Sequence, residues 1–510
     1  MLLRRAFSLD GRSLAAFRIA IGLLVAADAL LRSRDISLML APDGMFPLPL
    51  LRQYLDDPWA WSLAMLVDAT WWGPVILCLE AAAGLLLAAG CGTRVATIAS
   101  WVAVVSVLRR TAPATNAGDA WLACLLFWGM FLPLASTWSW DARRGSRRGE
   151  ECSTATMALV LQIAVVYLAA GLSKWNDAWL AGDAIRFAMS VHDHGTPLGE
   201  WLLGTGWLAR PVSWAVLALE LLGPVLLIAW PTPRVRTSLV VLFMLFHLVS
   251  CATMTVGLFG YVGLAAWLAV VPREAWDWLG GRHVPACQGP GASSAPESWA
   301  ARWACLSAGT LALVSLVHDV TPWRHTPLPR PLRSLISLPC MHQEWGMFGD
   351  VQRQEQWAYA RAELANGSIV DLLRDGRPLE AERPSGGFTS LPHHRWHKLF
   401  WVLPRPEQRI FAPAIAAALA RQWNASHVPS NGVLWLEIRF ARLGRTSTDD
   451  TLHELLLATW PPRDHTGRGN LERLLDGPQP GLDGPQPEID KQTDIDRQAN
   501  ETLAGESTVD

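Results

Sequence analysis

The sequence is short of charged residues. Asp, Glu, Lys and Arg make up 17% of its 510 residues, against roughly 25% in an average soluble chain. The two signs nearly cancel, with 43 basic and 45 acidic residues. Proteins that bind nucleic acid need a basic surface to meet the phosphates, so this balance argues against a nucleic-acid partner.

Metal-ligand spacing is also missing. The eight Cys are scattered singly, and the sequence has no CxxC or Cys/His spacing of the kind that holds zinc. We therefore predict no metal site. A pairing between Cys287 and Cys340 stays open at this point.

Long apolar runs are what the sequence does have, and they cluster before about Val320. A helix that crosses a bilayer needs about 20 mostly apolar residues. We predict a mainly α, polytopic membrane bundle over residues 1–320 with about nine spans, at 14–31, 72–89, 95–108, 117–135, 157–172, 212–230, 239–254, 258–271 and 303–317. Residues 59–67 are too short to cross, and we expect an interfacial or re-entrant helix there.

Tryptophan and arginine indicate how the bundle lies in the bilayer. The chain has 28 Trp against four Tyr, and many of the Trp flank apolar runs, as is typical of rings at the headgroup level. Arg143, Arg144, Arg147 and Arg148 form the densest basic connection. Basic connections stay in the cytoplasm, so we expect a cytoplasmic N-terminus and, after an odd number of spans, an exoplasmic C-terminal module.

The residue composition changes after the last predicted span, where the long apolar runs end. A proline-rich connector leads into short extended runs such as 432–441, where residue types alternate, and into the Ala-rich stretch 411–422. We therefore expect a small α+β, β-rich soluble module over 335–462. Residues 463–510 repeat LDGPQP and are too polar to bury a core, so we expect a disordered low-complexity tail.

Charged residues inside spans need an explanation, because bringing them to membrane depth costs free energy. Arg18, Asp28, Glu80, Asp119 and Glu220 stand out. One interpretation is pairing, for example of Arg18 with Glu80 or Glu220. The other is a polar cavity that holds the head group of a substrate.

Lys174 and His247 are the two residues with the clearest chemical potential. Lys174 ends an apolar run and precedes Trp175, so it is either a lysine that reaches the headgroups with its amine or a desolvated general base. His247 lies in mid-span, as either a packing residue with its hydrogen bonds satisfied or a functional imidazole.

Five motifs in order along the chain point to one family. They are Ala16-Phe17-Arg18 in the first span, PDGMFP at 42–47, the segment from Tyr167 through Lys174 to Gly182, Phe246-His247 followed by VGLFGY at 256–261, and, in the module, Trp345-Gly346-Met347 with Arg395-Trp396. Together they resemble the horizontally transferred transmembrane domain (HTTM) family, whose best-known member is the vitamin K-dependent γ-glutamyl carboxylase.

The resemblance implies a chemistry. It implies that Lys174 deprotonates a reduced vitamin K-type quinol, whose oxygenation then supplies the base for carboxylation of a glutamate in a secreted or membrane protein substrate. It also implies that His247 orients the quinol hydroxyl, as the second catalytic residue. We expect substrate contacts from Arg18, Asn116, Asp119, Trp175, Trp179 and Tyr261.

One departure from the family pattern bears on the reaction. The carboxylase has an Asn-His pair in the segment that matches Asn116, and here the next residue is Ala117. Because that histidine belongs to the carboxylation half-reaction, its absence argues against glutamate carboxylation. The Arg- and Ala-rich composition is typical of a bacterial chain, and we expect the bacterial inner membrane.

Two hypotheses of different classes follow. The first is a membrane enzyme that oxidises or epoxidises a membrane quinol, with Lys174 as base. The second is a non-catalytic membrane protein that binds lipid or a partner, with Lys174 as a headgroup anchor. The sequence shows no inverted repeat of the kind that would support a transporter.

Overall fold

The computed structural model describes residues 2–144, 149–190, 194–203, 207–280, 298–321, 326–349, 351, 354–380, 383–384, 386–443 and 452–462. The tail predicted at 463–510 lies outside the described residues.

Helices dominate the part of the chain before residue 321. They are α1 Leu2–Phe7, α2 Gly11–Arg32, α3 Ile36–Met39, α4 Leu48–Leu55, α5 Trp72–Ala89, α6 Thr93–Arg110, α7 Ala117–Gly129, α8 Thr154–Ser173, α9 Asp177–Leu180, α10 Ala184–Ser190, α11 Pro197–Leu203, α12 Ala209–Ala229, α13 Pro233–Thr253, α14 Phe259–Leu268, α15 Arg273–Trp278 and α16 Trp299–Val320. Strands β1 Leu9–Asp10 and β2 Glu150–Glu151 pair antiparallel.

Within the described residues, six helical segments are long and apolar enough to cross a membrane: Gly11–Met39, α5, α8, α12, α13 and α16. The membrane-type helical bundle is thus confirmed. The other three predicted spans are also helical, but α7 and α14 are shorter and α6 carries Arg94, Arg109 and Arg110. A total of nine crossings stays a prediction.

The helix expected at 59–67 is wrong. This stretch forms only a single 3₁₀ turn, Leu63–Met65. Its backbone is held by α6 instead: the Leu63 N–H donates to the Ser106 hydroxyl (3.0 Å), and the Ser62 hydroxyl donates to the Ser106 carbonyl (2.7 Å). A side chain from another helix thus satisfies a backbone donor that a local helix would have used.

The helix ends fall into two groups by their contacts. At the first end, Arg18 of α2 donates to the Trp138 carbonyl (2.6 Å) and Arg236 of α13 donates to the Val270 carbonyl (2.8 Å). At the second end, the start of α7 packs on the start of α14, since a Cβ on Gly118 would lie 2.8 Å from Phe259 Cα.

Exposed tryptophans lie at both ends, as expected for indole rings at two headgroup levels. The first end has Trp138, Trp140, Trp230, Trp278, Trp299 and Trp303, and the second end has Trp59, Trp71 and Trp175.

The α+β module is confirmed as a small sheet with helices. Its elements are α17 Arg330–Ser337, β3 Glu355–Leu364, β4 Ile369–Asp371, β5 Arg377–Pro378, α18 His394–Val402, α19 Pro406–Arg409, α20 Ala412–Ser426, β6 Val433–Leu443 and β7 Leu452–Trp460. The strand order is β5-β4-β3-β6-β7, all antiparallel. Leu436, Ile438 and Phe440 of β6 share one core with Ile415 and Leu419 of α20, which fits the alternation seen in the sequence.

A buried charge network joins the module to the second end of the bundle. The Arg395 guanidinium of α18 pairs with Asp28 of α2 and, at 2.9 Å, with Asp119 of α7. Arg32 pairs with the same two carboxylates, at 2.8 Å and 3.3 Å. Each side chain is at most 4% exposed. The bundle therefore cannot lose Arg395 without leaving buried carboxylates short of a partner.

The neighbouring His394 packs at the same interface between the module and the bundle. Its ring packs on Gly257, where φ is +59° and a Cβ would approach the ring to 2.4 Å. Burial lowers the pKa of His394 to about 4. Its Nε2 is buried without a hydrogen-bond partner among the described residues. The imidazole is thus held neutral in the folded protein.

We predict that Arg395→Met lowers the free energy of unfolding by about 3–5 kcal/mol, because it leaves two buried carboxylates sharing only Arg32. Thermal or denaturant unfolding of the detergent-solubilised protein measures this. The matched control is Arg377→Met, at an exposed position of β5, and it should change the stability little. Equal stability of the two variants would contradict a supporting role for the network.

A second prediction concerns pH. His394 binds a proton more weakly when folded than when unfolded, where its pKa is near 6.5, so its contribution to stability is complete above that value and is lost as pH falls towards about 4. We expect His394→Gln to flatten the decline of the melting temperature between those two pH values. A decline of unchanged steepness would show that other groups control it.

Candidate functional site

A cavity of about 340 Å³ lies among α8, α12 and α13 at the second end. Most of its walls are aliphatic or aromatic, among them Leu203, Val216, Leu219, Phe246 and Phe259. Its charged lining residues are Lys174 and Glu220. An apolar hollow with a few convergent polar groups is the usual form of a small-molecule site.

Lys174 turns its amine into this cavity. It directly follows α8 and is only 2% exposed. Its Nζ lies 2.8 Å from Glu220 Oε2, donates to the Ala170 carbonyl at 3.3 Å, and lies 5.3 Å from the centre of the Trp179 ring. The Lys174 ammonium is therefore paired with a carboxylate and shielded from solvent.

The local sequence explains why Lys174 can reach α12. Tyr167, Ala170 and Lys174 are spaced i, i+3, i+7, so they share one face of α8. Gly171 lets the two helices approach, since a Cβ there would lie 2.9 Å from the Leu221 side chain. A larger residue at 171 would push Glu220 away from the amine.

The cavity reaches the apolar surface of the bundle between α12 and α13. Three of its lining residues on α13, Leu242, Leu245 and Val249, are 48%, 54% and 46% exposed. In a membrane this surface faces acyl chains rather than water. A hydrophobic molecule could therefore enter sideways from the bilayer.

Met347 and Phe348, from the segment before the sheet, close the cavity on another side. Two side chains fix this segment: Trp179 Nε1 donates to the Phe348 carbonyl (2.7 Å), and Asn176 Nδ2 donates to the Gly349 carbonyl (2.6 Å). The chain between α17 and β3 is thus part of the site.

His247 lies one residue behind the cavity wall. Its Nε2 is 2.5 Å from the hydroxyl of Tyr167, which lines the cavity. Trp267 Nε1 donates to the same hydroxyl at 2.8 Å. The Tyr167 hydroxyl thus accepts from Trp267 and shares a second hydrogen bond with His247, whose donor is set by the tautomer of the imidazole. Tyr167 therefore separates His247 from the cavity.

Of the predicted substrate contacts, Trp179 is the one that lines the cavity. Trp175 and Tyr261 are 65% and 50% exposed and do not line it. Asn116 caps α7, its Oδ1 accepting from the Gly118 N–H at 2.9 Å, and Asp119 pairs with Arg395.

Arg18 is also away from the cavity. It lies at the first end, fully buried, and its guanidinium donates to the carbonyls of Leu134, Thr137 and Trp138. The suggested pairing of Arg18 with Glu80 or Glu220 is therefore wrong. Backbone carbonyls accept from both terminal nitrogens of the guanidinium, and Glu220 pairs with Lys174 instead.

Sequence reasoning missed two parts of the site: Glu220 as the partner of Lys174, and Tyr167 as the link to His247. An acidic residue inside the next long apolar run along the chain is the only sequence signal for the first. The second had no signal, because the depth of His247 relative to Tyr167 depends on how α8 and α13 pack.

We predict strong coupling between Lys174 and Glu220. Lys174→Met and Glu220→Leu should each destabilise the protein by about 3–5 kcal/mol, because each leaves a buried charge unpaired, and the double variant should recover most of that loss. Unfolding in detergent measures the cycle. The exposed pair Asp183 and Arg186, 3.7 Å apart, is the control and should couple by less than about 1 kcal/mol. Simple additivity at Lys174 and Glu220 would contradict the pairing.

Comparison with known proteins covers the bundle up to α15, and α16 lies beyond the matched residues. A family model described as the HTTM domain matches residues 8–276, just over half of the chain, including Lys174, Glu220 and His247. The module lies beyond the match. No curated protein and no solved structure matches the chain. The chain belongs to the HTTM domain family.

Proposed function

We propose that the chain is an integral membrane enzyme that admits a lipid-soluble quinol, of the reduced vitamin K type, into the cavity and deprotonates it with Lys174. The observation that carries this proposal is the dry Lys174–Glu220 pair at the wall of an apolar cavity that opens among exposed apolar side chains.

The pair can act as a base without a free, unpaired charge. Lys174 passes one proton to Glu220 and takes the hydroxyl proton of the quinol, so that the proton count balances and the new oxyanion faces an ammonium. In a site that excludes water, this attraction is stronger than in solution. The Trp179 ring keeps the amine in place by a cation–π contact.

The cavity suits such a substrate in size and lining. Ligand sites fall between roughly 300 and 1,000 Å³, and about 340 Å³ is available here. Phe246 and Phe259 line it with aromatic rings, and the exposed Leu242 and Leu245 lie on the side that faces the bilayer. The family resemblance implies that the deprotonated quinol is then oxidised by dioxygen.

Tyr167 lines the cavity and can contact the substrate, whereas His247 acts on the substrate only through Tyr167. The Tyr167 hydroxyl, fixed by Trp267 and His247, holds the ring that forms part of the cavity wall. We assign His247 a positioning role through Tyr167.

The placement in the membrane belongs to the same proposal. We infer that the first end is cytoplasmic and the second end, with the module, is exoplasmic, in a bacterial inner membrane. The exposed tryptophans at both ends support the placement across a bilayer. The basic residues near the first end, such as Arg94 and Arg143, support its cytoplasmic orientation.

Glutamate carboxylation is not part of the proposal. Ala117 follows Asn116, and the Asn116 side-chain oxygen is engaged in capping α7. A lipid-binding protein without turnover is the second candidate, because the Lys174–Glu220 pair and the cavity would serve binding alone equally well.

We predict that the purified protein in lipid nanodiscs oxidises a reduced vitamin K-type quinol under dioxygen, and that Lys174→Ala slows the reaction by about 10²–10⁴-fold, the usual contribution of a general base. Lys174→Arg should also be slow, since a guanidinium does not give up its proton. The quinone products can be followed by absorbance and chromatography.

Trp175→Phe, next to Lys174 but outside the cavity, is the matched control and should keep the wild-type rate. Equal turnover in all variants would remove Lys174 as the base. Saturable quinol binding with no turnover in the wild type would favour the lipid-binding protein instead.

A further inference from the structure

A second hollow, of about 540 Å³, lies away from α8, α12 and α13, between the loop at 56–59 and α17. Asp56 and Trp59 form one wall, and Arg330, Arg333 and Leu335 form the other. The proposed chemistry does not use it, and the wall formed by α17 lies beyond the HTTM match, which ends at residue 276.

The hollow lies at the second end of the bundle, near its apolar surface. Trp59 is 50% exposed and Leu335 is 46% exposed, and the same loop continues to Leu66, which is 71% exposed. Ser62 and Leu63 tie this loop to Ser106 of α6, near the end of that helix. The hollow therefore opens where acyl chains give way to headgroups.

Its two arginines have donors that no described protein group accepts. Arg330 and Arg333 are spaced i, i+3 and share one face of α17. Arg333 Nη2 donates to Asp56 Oδ2 at 3.1 Å and to the Asp56 carbonyl at 2.9 Å, but its buried Nε has no acceptor within the described part of the chain. Arg330 is exposed and makes no ion pair among the described residues.

Acidic and aromatic groups face the arginines across the hollow. The Asp56 side chain is 63% exposed, so it keeps room for a second cation beside Arg333. Trp59 lines the same hollow with an indole that is half exposed. The hollow thus presents two guanidinium groups, a carboxylate and an aromatic ring within one small space.

We propose that this hollow binds the headgroup of one zwitterionic phospholipid of the phosphatidylethanolamine class. The phosphate accepts hydrogen bonds from Arg330 and Arg333, the ammonium lies between Asp56 and the Trp59 ring, and the acyl chains run along Leu335. A purely anionic headgroup fits less well, because it brings no cation to Asp56.

A bound lipid would stabilise the segment between α17 and β3, which also lines the Lys174 cavity. The chain from α17 to β3 passes from this hollow to Met347 and Phe348 at the Lys174 cavity. At the start of that segment, Trp61 Nε1 donates to the Leu338 carbonyl at 3.0 Å, and Arg109 donates to the Ser337 carbonyl. The headgroup site stands independently of the quinol proposal.

The test uses delipidated protein in detergent micelles, titrated with phosphatidylethanolamine, with phosphatidylglycerol, and with glycerophosphoethanolamine, which lacks acyl chains. Native mass spectrometry counts bound lipids and the melting temperature follows saturation. We expect tight binding of one phosphatidylethanolamine per chain, weaker binding of phosphatidylglycerol, and no effect of glycerophosphoethanolamine at matched concentration.

Arg330→Glu should raise the lipid concentration at half saturation by about tenfold or more, the loss expected for a charged hydrogen bond. It should leave the lipid-free melting temperature unchanged, because Arg330 has no partner in the described part of the chain. Trp59→Ala should weaken binding in the same direction. The matched control is Arg377→Glu, an exposed arginine of the module, which should bind as the wild type does.

Equal affinity of Arg330→Glu and wild type would overturn the site. Binding of phosphatidylglycerol as tight as that of phosphatidylethanolamine would overturn the assigned headgroup. A response to glycerophosphoethanolamine equal to that of the lipid would show a site for a soluble phosphate ester instead.

Discussion

The arrangement of the bundle depends on one buried ion pair, Lys174 with Glu220. A charged group at membrane depth costs several kcal/mol unless it is paired, so α8 and α12 must meet at this level. Gly171 makes their approach possible. The cavity follows from the pair, because the surrounding side chains are apolar and leave space beside the two charged groups.

A second set of buried charges makes the module part of the same structure. Asp28 and Asp119 in the bundle are neutralised in part by Arg395 from α18, so the second end is completed only when the module docks. The segment that leads into the module also supplies Phe348 to the cavity. A soluble appendage would need neither contact, and the module is therefore a structural part of the site.

The sequence predicted what depends on local pattern. Apolar runs located the long helices, and alternation located β6. Lys174, which the sequence singled out at the end of a span, lines the cavity. It could not predict pairings between helices, because these depend on depth and rotation. The sequence allowed a pairing of Arg18 with Glu80 or Glu220, and it left open whether His247 packs or orients a substrate. The prediction of a helix at 59–67 was wrong for a related reason, because the backbone of this stretch bonds to Ser106 of another helix, α6.

The central claim is that the hollow beside Lys174 and Glu220 receives a quinol from the bilayer. The most direct measurement is photo-crosslinking of the membrane-embedded protein with a photoreactive quinone analogue, followed by peptide mapping. The account predicts labelling concentrated on α8, α12 and α13 and suppressed by excess quinol. Labelling spread over the exposed apolar surface, or insensitive to quinol, would contradict it.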